Sequence, residues 1–338
     1  MRTIEQLEAK LAEPSQELVR DLERISGDIV LLGVGGKMGP SLAKLAMNAI
    51  REGGLSKRVI GVSRFSNREA RQELEDAGIE TISCELLDDE SLRALPDAEN
   101  VIYMAGNKFG TKGREYLTWA MNAYLPGRVA EKYKESRIVA FSSGNIYPFQ
   151  PVASGGADER VAPEPIGEYA QSTLGRERVF EYHSVKNGTP MVMYRLNYAI
   201  DLRYGVLLEL AKAVDEGREI DLTMGFANVI WQGDANAMAI RSLTQCSSPP
   251  TVLNITGPET LSIRWAAKEF AKRLRREALF AGTESDTALL NNAANSHQLF
   301  GYPRVPLLQM IDWTAEWVRH GGPTWNKPTH FQERKGNF

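Results

Sequence analysis

Asp28-Ile29-Val30-Leu31-Leu32-Gly33-Val34-Gly35-Gly36-Lys37-Met38-Gly39 is the stretch on which the fold turns. Ile29–Leu32 is a continuous apolar run, as a parallel strand covered on both faces requires. Glycines at 33, 36 and 39 follow, and then a helical pattern from Lys37 to about Arg51. A strand that turns at once into a helix needs positive φ, which glycine alone takes at little cost. Bare backbone there also lets an anion reach the free N–H groups and the positive dipole end of the helix. At the first strand–helix junction of an alternating chain, this spacing points to the pyrophosphate of a dinucleotide, with a purely structural turn as the alternative. Gly33, Gly35, Gly36, Lys37, Met38 and Gly39 form the candidate cradle.

Outward from this turn the alternation continues. The stretches Val59–Val62, Asn100–Met104, Ile138–Phe141 and Met191–Leu196 predict strands, and Ile79–Ser83 is a short strand candidate. Helical patterns at Arg68–Ala77, Ser91–Leu95, Tyr116–Lys134 and Gly167–Lys186 lie between them. Such alternation predicts an α/β chain with a Rossmann-type, doubly wound parallel sheet. Beyond Asn197 the pattern weakens into helices at Gly205–Glu216, Gly233–Leu243, Ile263–Arg275 and Leu307–Arg319, with short strands at Asn228–Trp231 and Val252–Ile255. The expected organisation is an N-terminal helical extension over 1–27, a dinucleotide-binding domain over 28–200, a smaller C-terminal α/β substrate lobe over 201–322 whose elements can interleave with the sheet, and a loose polar tail over 323–338. In the extension, Thr3 with Gln6 fits a capping box, and Pro14 interrupts the helical pattern.

Composition excludes several classes. The 338 residues carry 40 basic and 43 acidic side chains, a net charge of −3, which argues against a dedicated nucleic-acid binder. At 43% hydrophobic and 25% charged the chain is ordinary globular protein. Two cysteines and four histidines offer neither a disulfide framework nor a metal cluster, so no metal is expected. No apolar run approaches the ~18 residues of a membrane span, and the expected location is the cytoplasm.

The second strand ends in Ser63-Arg64. A dinucleotide binder specific for NAD usually places a carboxylate there, on the adenosine ribose. An arginine can pair with a 2′-phosphate instead, so NADP is favoured over NAD, a solvated arginine being the alternative.

Further segments appear in a set order: Glu85-Leu86-Leu87-Asp88, Val101-Ile102-Tyr103-Met104-Ala105-Gly106, Asn122, Phe141-Ser142-Ser143-Gly144-Asn145-Ile146-Tyr147, Tyr169-Ala170-Gln171-Ser172-Thr173-Leu174-Gly175-Arg176-Glu177 and Asn254-Ile255-Thr256-Gly257-Pro258-Glu259. With the glycine turn, they resemble the extended short-chain dehydrogenase/reductase family of sugar-nucleotide epimerases and dehydratases, over about residues 28–320. The resemblance implies an NAD(P)-dependent oxidoreductase or epimerase acting on a hydroxylated, carbohydrate-like small molecule. It places Glu85 and Leu86 near the adenine, and Ala105 and Gly106 behind the cofactor. Ser143 and Tyr169 become the catalytic pair, and Asn122 the support of a water relay.

One position breaks the pattern. Four residues after the tyrosine the family carries lysine, and this chain has Thr173. A tyrosine hydroxyl has a pKa of about 10, and a nearby cation favours its phenolate. Threonine supplies a hydroxyl for the ribose and no charge. Arg176, one turn further along, and Lys108, after the fourth strand, are the alternative cations. Loss of the lysine also opens a second reading, a non-catalytic dinucleotide-binding sensor or scaffold. Gly144-Asn145 replaces the Asp-Glu pair of the family's dehydratases, which disfavours elimination chemistry. Asn197 is a further cofactor-side candidate, and Asn145, Tyr198, Arg203 and Trp231 are the substrate-side candidates. A homodimer through the helices after the fourth and fifth strands is implied as well. Ala120, Ala123, Tyr124, Val129, Tyr133, Leu174, Phe180 and Tyr182 suit either that interface or an intrachain core.

Overall fold

The computed structural model describes residues 1–108 and 113–336. Seven parallel strands make the central sheet: β1 (Ile29–Leu32), β2 (Val59–Ser63), β3 (Glu80–Ser83), β4 (Asn100–Tyr103), β5 (Arg137–Ser143), β6 (Met191–Leu196) and β7 (Thr251–Ile255). Their spatial order is β3-β2-β1-β4-β5-β6-β7, with Ile29 opposite Val59 on one side and Asn100 on the other. The order reverses between β1 and β4, and the crevice at the strands' carboxyl ends is where this Rossmann-type topology binds ligands. Alternation explains the continuous apolar run of β1. Ile29 and Leu31 enter one core layer with Ile102, Val139 and Val192, while Val30 and Leu32 enter the opposite layer with Val101, Ile138 and Met191.

Helices cover both faces. They are α1 (Ile4–Leu11), α2 (Gln16–Arg24), α3 (Gly39–Glu52), α4 (Arg68–Asp76), α5 (Asp89–Arg93), α6 (Glu115–Trp119), α7 (Leu125–Lys132), α8 (Gly167–Asn187), α9 (Val206–Asp215), α10 (Gln232–Arg241), α11 (Ile263–Leu274), α12 (Ala294–Phe300) and α13 (Leu307–Arg319). α2, α3 and α10 pack on the first face, and α5, α7 and α8 on the second. A π-helical turn at Ala120–Tyr124 joins α6 to α7, where the sequence spacing predicts one uninterrupted helix. In the N-terminal segment, Thr3 Oγ1 accepts the Gln6 N–H at 3.2 Å and Ser15 Oγ accepts that of Leu18 at 3.2 Å, so two capped helices flank Pro14.

The lobe is a second apolar cluster, formed by α9, α11 and α13 with Leu7 and Leu11 of α1. The chain returns to the sheet within 201–322: α10 packs on α3, and β7 pairs with β6 from Thr251 opposite Val192 to Ile255 opposite Leu196. The polar tail is not loose, contrary to expectation. Phe331 is buried in the lobe core, the Trp325 N–H reaches Arg203 O at 3.1 Å, and Arg334 bonds Thr287 at 2.7 and 2.9 Å. Val129, Tyr133 and Phe180 belong to the intrachain core, whereas Tyr116, Tyr124 and Tyr182 are exposed. No helix among the described residues is long and apolar enough to cross a membrane.

Candidate active site

The glycine turn divides into packing and opening positions. Gly33 has φ +94°, and a Cβ on it would lie 2.7 Å from Ala105 N. A Cβ on Gly39 would lie 2.0 Å from Val34 O, and one on Gly35 would lie 2.5 Å from Ser63 Oγ. Gly36 differs: its nearest atom would be Gly33 O at 3.4 Å, and the residue is exposed on the cleft. α3 starts at Gly39 with no side-chain cap, so the N–H groups of its first turn lack a side-chain acceptor. Bare backbone at 36 before an uncapped helix fits a dinucleotide pyrophosphate.

The turn opens into a cleft of about 520 Å³ at the carboxyl ends of β1, β4, β5 and β6. Ser143, Asn145, Tyr169, Asn197 and Tyr198 all line it, with Lys37, Met38 and Gly106. Ser143 Oγ accepts the Asn145 N–H at 3.2 Å and donates to Asn145 Oδ1 at 3.3 Å, which fixes the hydroxyl at the end of β5. Tyr169 is half-buried in the first turn of α8, with Lys108 Nζ 5.3 Å from its ring centroid.

Thr173 is not brought to the cleft. It is 1% exposed, and its hydroxyl donates to Tyr169 O at 2.8 Å within the helix. The hydroxyl expected for a ribose is therefore engaged by backbone. Asn122 also departs from expectation. Its Oδ1 accepts the Asn107 N–H at 2.8 Å and Arg176 Nη2 at 2.9 Å, while its Nδ2 donates to Asn107 O at 2.9 Å and Ser172 Oγ at 3.0 Å. With the carboxamide fully used, its role is to pin the loop after β4, not to hold a water. Arg176 does reach back from α8. It bonds Phe141 O at 2.7 Å and Asn122 O at 3.3 Å, and forms the cleft floor below Gly106.

Lysines dominate the electrostatics. Lys37 Nζ stands 3.3 Å from the Tyr204 ring centroid, a contact that favours its charge. Burial, reinforced by repulsion from Lys327 and Lys108, outweighs this and pushes Lys37 down to about 7. Burial lowers Lys108 to about 8, against an upward pull from Glu209. The same desolvation raises the Tyr198 and Tyr204 hydroxyls.

The remaining predicted residues divide by position. Ser63, Arg64 and Glu85 stand at the ends of β2 and β3, and Arg64 Nη1 is 3.6 Å from Glu85 Oε2. Leu86 and Ala105 are core residues, with Ala105 packed against the bare face of Gly33. Trp231 is not on the cleft: it is 1% exposed and packs edge-on to Trp313 at 5.3 Å in the lobe core. Arg203 is also structural. It pairs with Asp201 and Glu8 at 2.6 Å each and stacks 4.8 Å over Trp325, tying α1 and the tail to the lobe.

Sequence reasoning missed a buried network behind Ser143. Arg195 on β6 grips Glu177 on α8 through bonds of 2.9 and 2.7 Å. Glu177 accepts Ser142 Oγ at 2.5 Å, Arg195 donates to Tyr147 Oη at 2.5 Å, and Tyr147 donates to Asn254 Oδ1 at 2.9 Å. A charged residue inside the apolar run of β6 was the available signal. Also missed were Tyr204, and Lys327 and Thr329 of the tail, which line the cleft. Among the described residues no group of three or more His, Cys, Asp or Glu is placed to hold a metal.

No protein-family model matches the chain, and no curated protein matches it. Solved structures do. A UDP-glucuronic acid 4-epimerase from Bacillus cereus, in complex with a fluorinated UDP-glucuronic acid and NAD, superposes at TM-score 0.70 with 17% identity, over 86% of this chain and 99% of that one. A UDP-glucose 4-epimerase from Thermotoga maritima with UDP-glucose gives 0.68 at 15% identity, over 87% and 99%. The UDP-Glc/GlcNAc 4-epimerase of Campylobacter jejuni gives 0.71 at 15%, over 86% and 98%. At these identities the likeness shows the fold.

Proposed function

We infer that this chain, whose fold is that of the extended short-chain dehydrogenases/reductases, is an NAD(P)-dependent oxidoreductase or epimerase acting on a secondary alcohol of a carbohydrate-like substrate. One observation carries the reading: the open backbone at Gly36 and the uncapped start of α3 share a single cleft with Ser143 and Tyr169. UDP-sugars are the substrate class to test first, because the solved structures of this fold are UDP-sugar epimerases.

The bound nicotinamide supplies hydride transfer. The chain's residues supply the rest. Ser143 Oγ, oriented by Asn145, holds the substrate oxygen. Tyr169 moves the proton on that oxygen, and Lys108 is the cation beside it, in place of the absent lysine. Asn122 acts as a positioning residue: its grip on Asn107 sets the backbone from which Lys108 extends. Arg176 adds a fixed positive charge to the floor. Glycine and asparagine at 144 and 145 leave no carboxylate there for elimination, so redox or epimerisation is favoured over dehydration.

NADP is the favoured dinucleotide on the chain's own residues. Ser63 ends β2 without a carboxylate, and Arg64, with its side chain 78% exposed, can turn from Glu85 to a 2′-phosphate. A homodimer is the proposed assembly, through the surface of α6 and α8, where Tyr116, Trp119 and Tyr182 are exposed.

Titration with NADPH and NADH by nicotinamide fluorescence, followed by turnover assays on UDP-hexoses and UDP-uronic acids, tests the reading. Tyr169→Phe is expected to lower turnover by ~10²–10⁴-fold while leaving dinucleotide affinity within about twofold. Arg64→Ala should weaken NADPH binding and spare NADH. The sensor reading rests on Thr173, whose hydroxyl serves the helix and not the cleft. Tight dinucleotide binding with no turnover on the whole panel would establish it instead.

A further inference from the structure

The cleft has one sign of charge. Lys37, Lys108, Arg176 and Lys327 line it, and among the described residues no carboxylate does. The nearby acid, Glu209, takes both the N–H and the hydroxyl of Thr329, the latter at 2.8 Å, and so serves as an anchor for the tail. Arg176 is held by Phe141 O and by both oxygens of Asn122. Lys37 belongs to the glycine turn, where the diphosphate of a dinucleotide brings two negative charges. Lys108, in the loop after β4, and Lys327, in the tail, line the same cleft.

Two further observations show a prepared site. Asn197 is 2% exposed, lines the cleft, and its Nδ2 has no hydrogen-bond partner. A buried amide donor left open in a cleft that two ammonium groups also line suits an oxygen-rich anion. The tail segment carrying Lys327 is also shaped. Left-handed residues bracket it, Asn326 at φ +50° and His330 at φ +55°, and Trp325 and Phe331 fix both ends.

We propose that Lys327, Lys108 and the Asn197 amide form a subsite for a carboxylate carried by the sugar itself, so that the substrate is a sugar acid. The proposal rests on the cofactor and catalytic reading above. The place of Lys108 favours the carboxylate over a nucleotide-sugar diphosphate. Lys108 Nζ lies 5.3 Å from the centre of the Tyr169 ring, so an anion it holds sits within one sugar ring of the reacting alcohol. A diphosphate lies beyond the sugar.

The test is equilibrium binding to the Tyr169→Phe protein loaded with its preferred dinucleotide, so that nothing turns over. Two pairs of probes are compared: UDP-glucuronic acid with UDP-glucose, and D-glucuronate with D-glucose. The expected result is at least tenfold tighter binding of the acid within a pair. Adding Lys327→Ala should reduce that ratio to within about threefold without changing UDP-glucose affinity, and Lys327→Arg should retain it. Absence of a tenfold preference in both pairs overturns the proposal. So does an equal loss of UDP-glucose binding in Lys327→Ala, which would assign the lysine to the diphosphate. Failure of the wild-type protein to bind either dinucleotide is read separately and overturns the cofactor reading with it.

Discussion

Gly36 and Gly39 look alike in the sequence and do different work. A methyl group at 39 meets Val34 O at 2.0 Å, whereas one at 36 meets nothing closer than 3.4 Å. Gly39→Ala should therefore destabilise the fold by about 1–3 kcal/mol in urea denaturation. Gly36→Ala should leave the denaturation midpoint unchanged and weaken dinucleotide binding by roughly tenfold or more, a loss of at least about 1.4 kcal/mol. A Gly36→Ala protein that binds normally would remove the pyrophosphate cradle. At this scale the placing of the glycine turn, Ser143 and Tyr169 on one cleft was legible, because each sits in a motif whose spacing is local. The fate of Thr173 was not. Whether a threonine on a helix faces a ligand or bonds its own backbone depends on the tertiary rotation of α8, which spacing does not encode. Trp231 and Arg203 misled for a similar reason: an aromatic at a strand end and an arginine in a loop fit a cleft as well as a core or a clamp.

Elements divide the same way. The strands β1, β2, β4, β5 and β6 were read from apolar runs because a parallel strand buried on both faces has no polar side to disguise it, whereas β3, at the sheet edge, is partly exposed. The membership of β7 was not, since its pairing with β6 joins segments about sixty residues apart and leaves no local mark. Nor was the π turn at Ala120–Tyr124, whose residues keep ordinary helical composition. The bond between α8 and the sheet is the most consequential unread feature. Arg195 and Glu177, with side chains 6% and 4% exposed, hold β6 to α8, and Ser142 joins them to β5. Removing one partner strands the other charge in the core. Arg195→Met is expected to cost ~3–5 kcal/mol by urea denaturation, and the double change with Glu177→Leu should recover much of it. If the double variant is no more stable than the single, the pair is not a closed unit.

Over the whole molecule, a net charge of −3 conceals a cleft of opposite sign. The consequence is a pH dependence. Lys37 is held near 7 in the free protein, first by burial and then by Lys327 and Lys108. A diphosphate beside it favours the charged form and raises that value. Dinucleotide binding should thus take up a proton above pH 7, with affinity flat below it and falling by up to about tenfold per pH unit as pH rises through 7. Folding has the complementary sign. The unfolded chain binds this proton more tightly, so the apoprotein gains stability as pH climbs from about 7 towards 10.5. Calorimetric titrations in buffers of different ionisation enthalpy read the proton directly, and Lys37→Met should abolish the uptake. The docked tail bears on how such a protein changes over generations. Its fixed points are Trp325, Thr329, Phe331 and Arg334, and between them Asn326, Lys327 and Pro328 are exposed. Lys327 and Pro328 can thus vary without disturbing the strand network that holds Ser143. Substitution at Lys327 should therefore change what the cleft prefers to bind without changing what holds the cleft together.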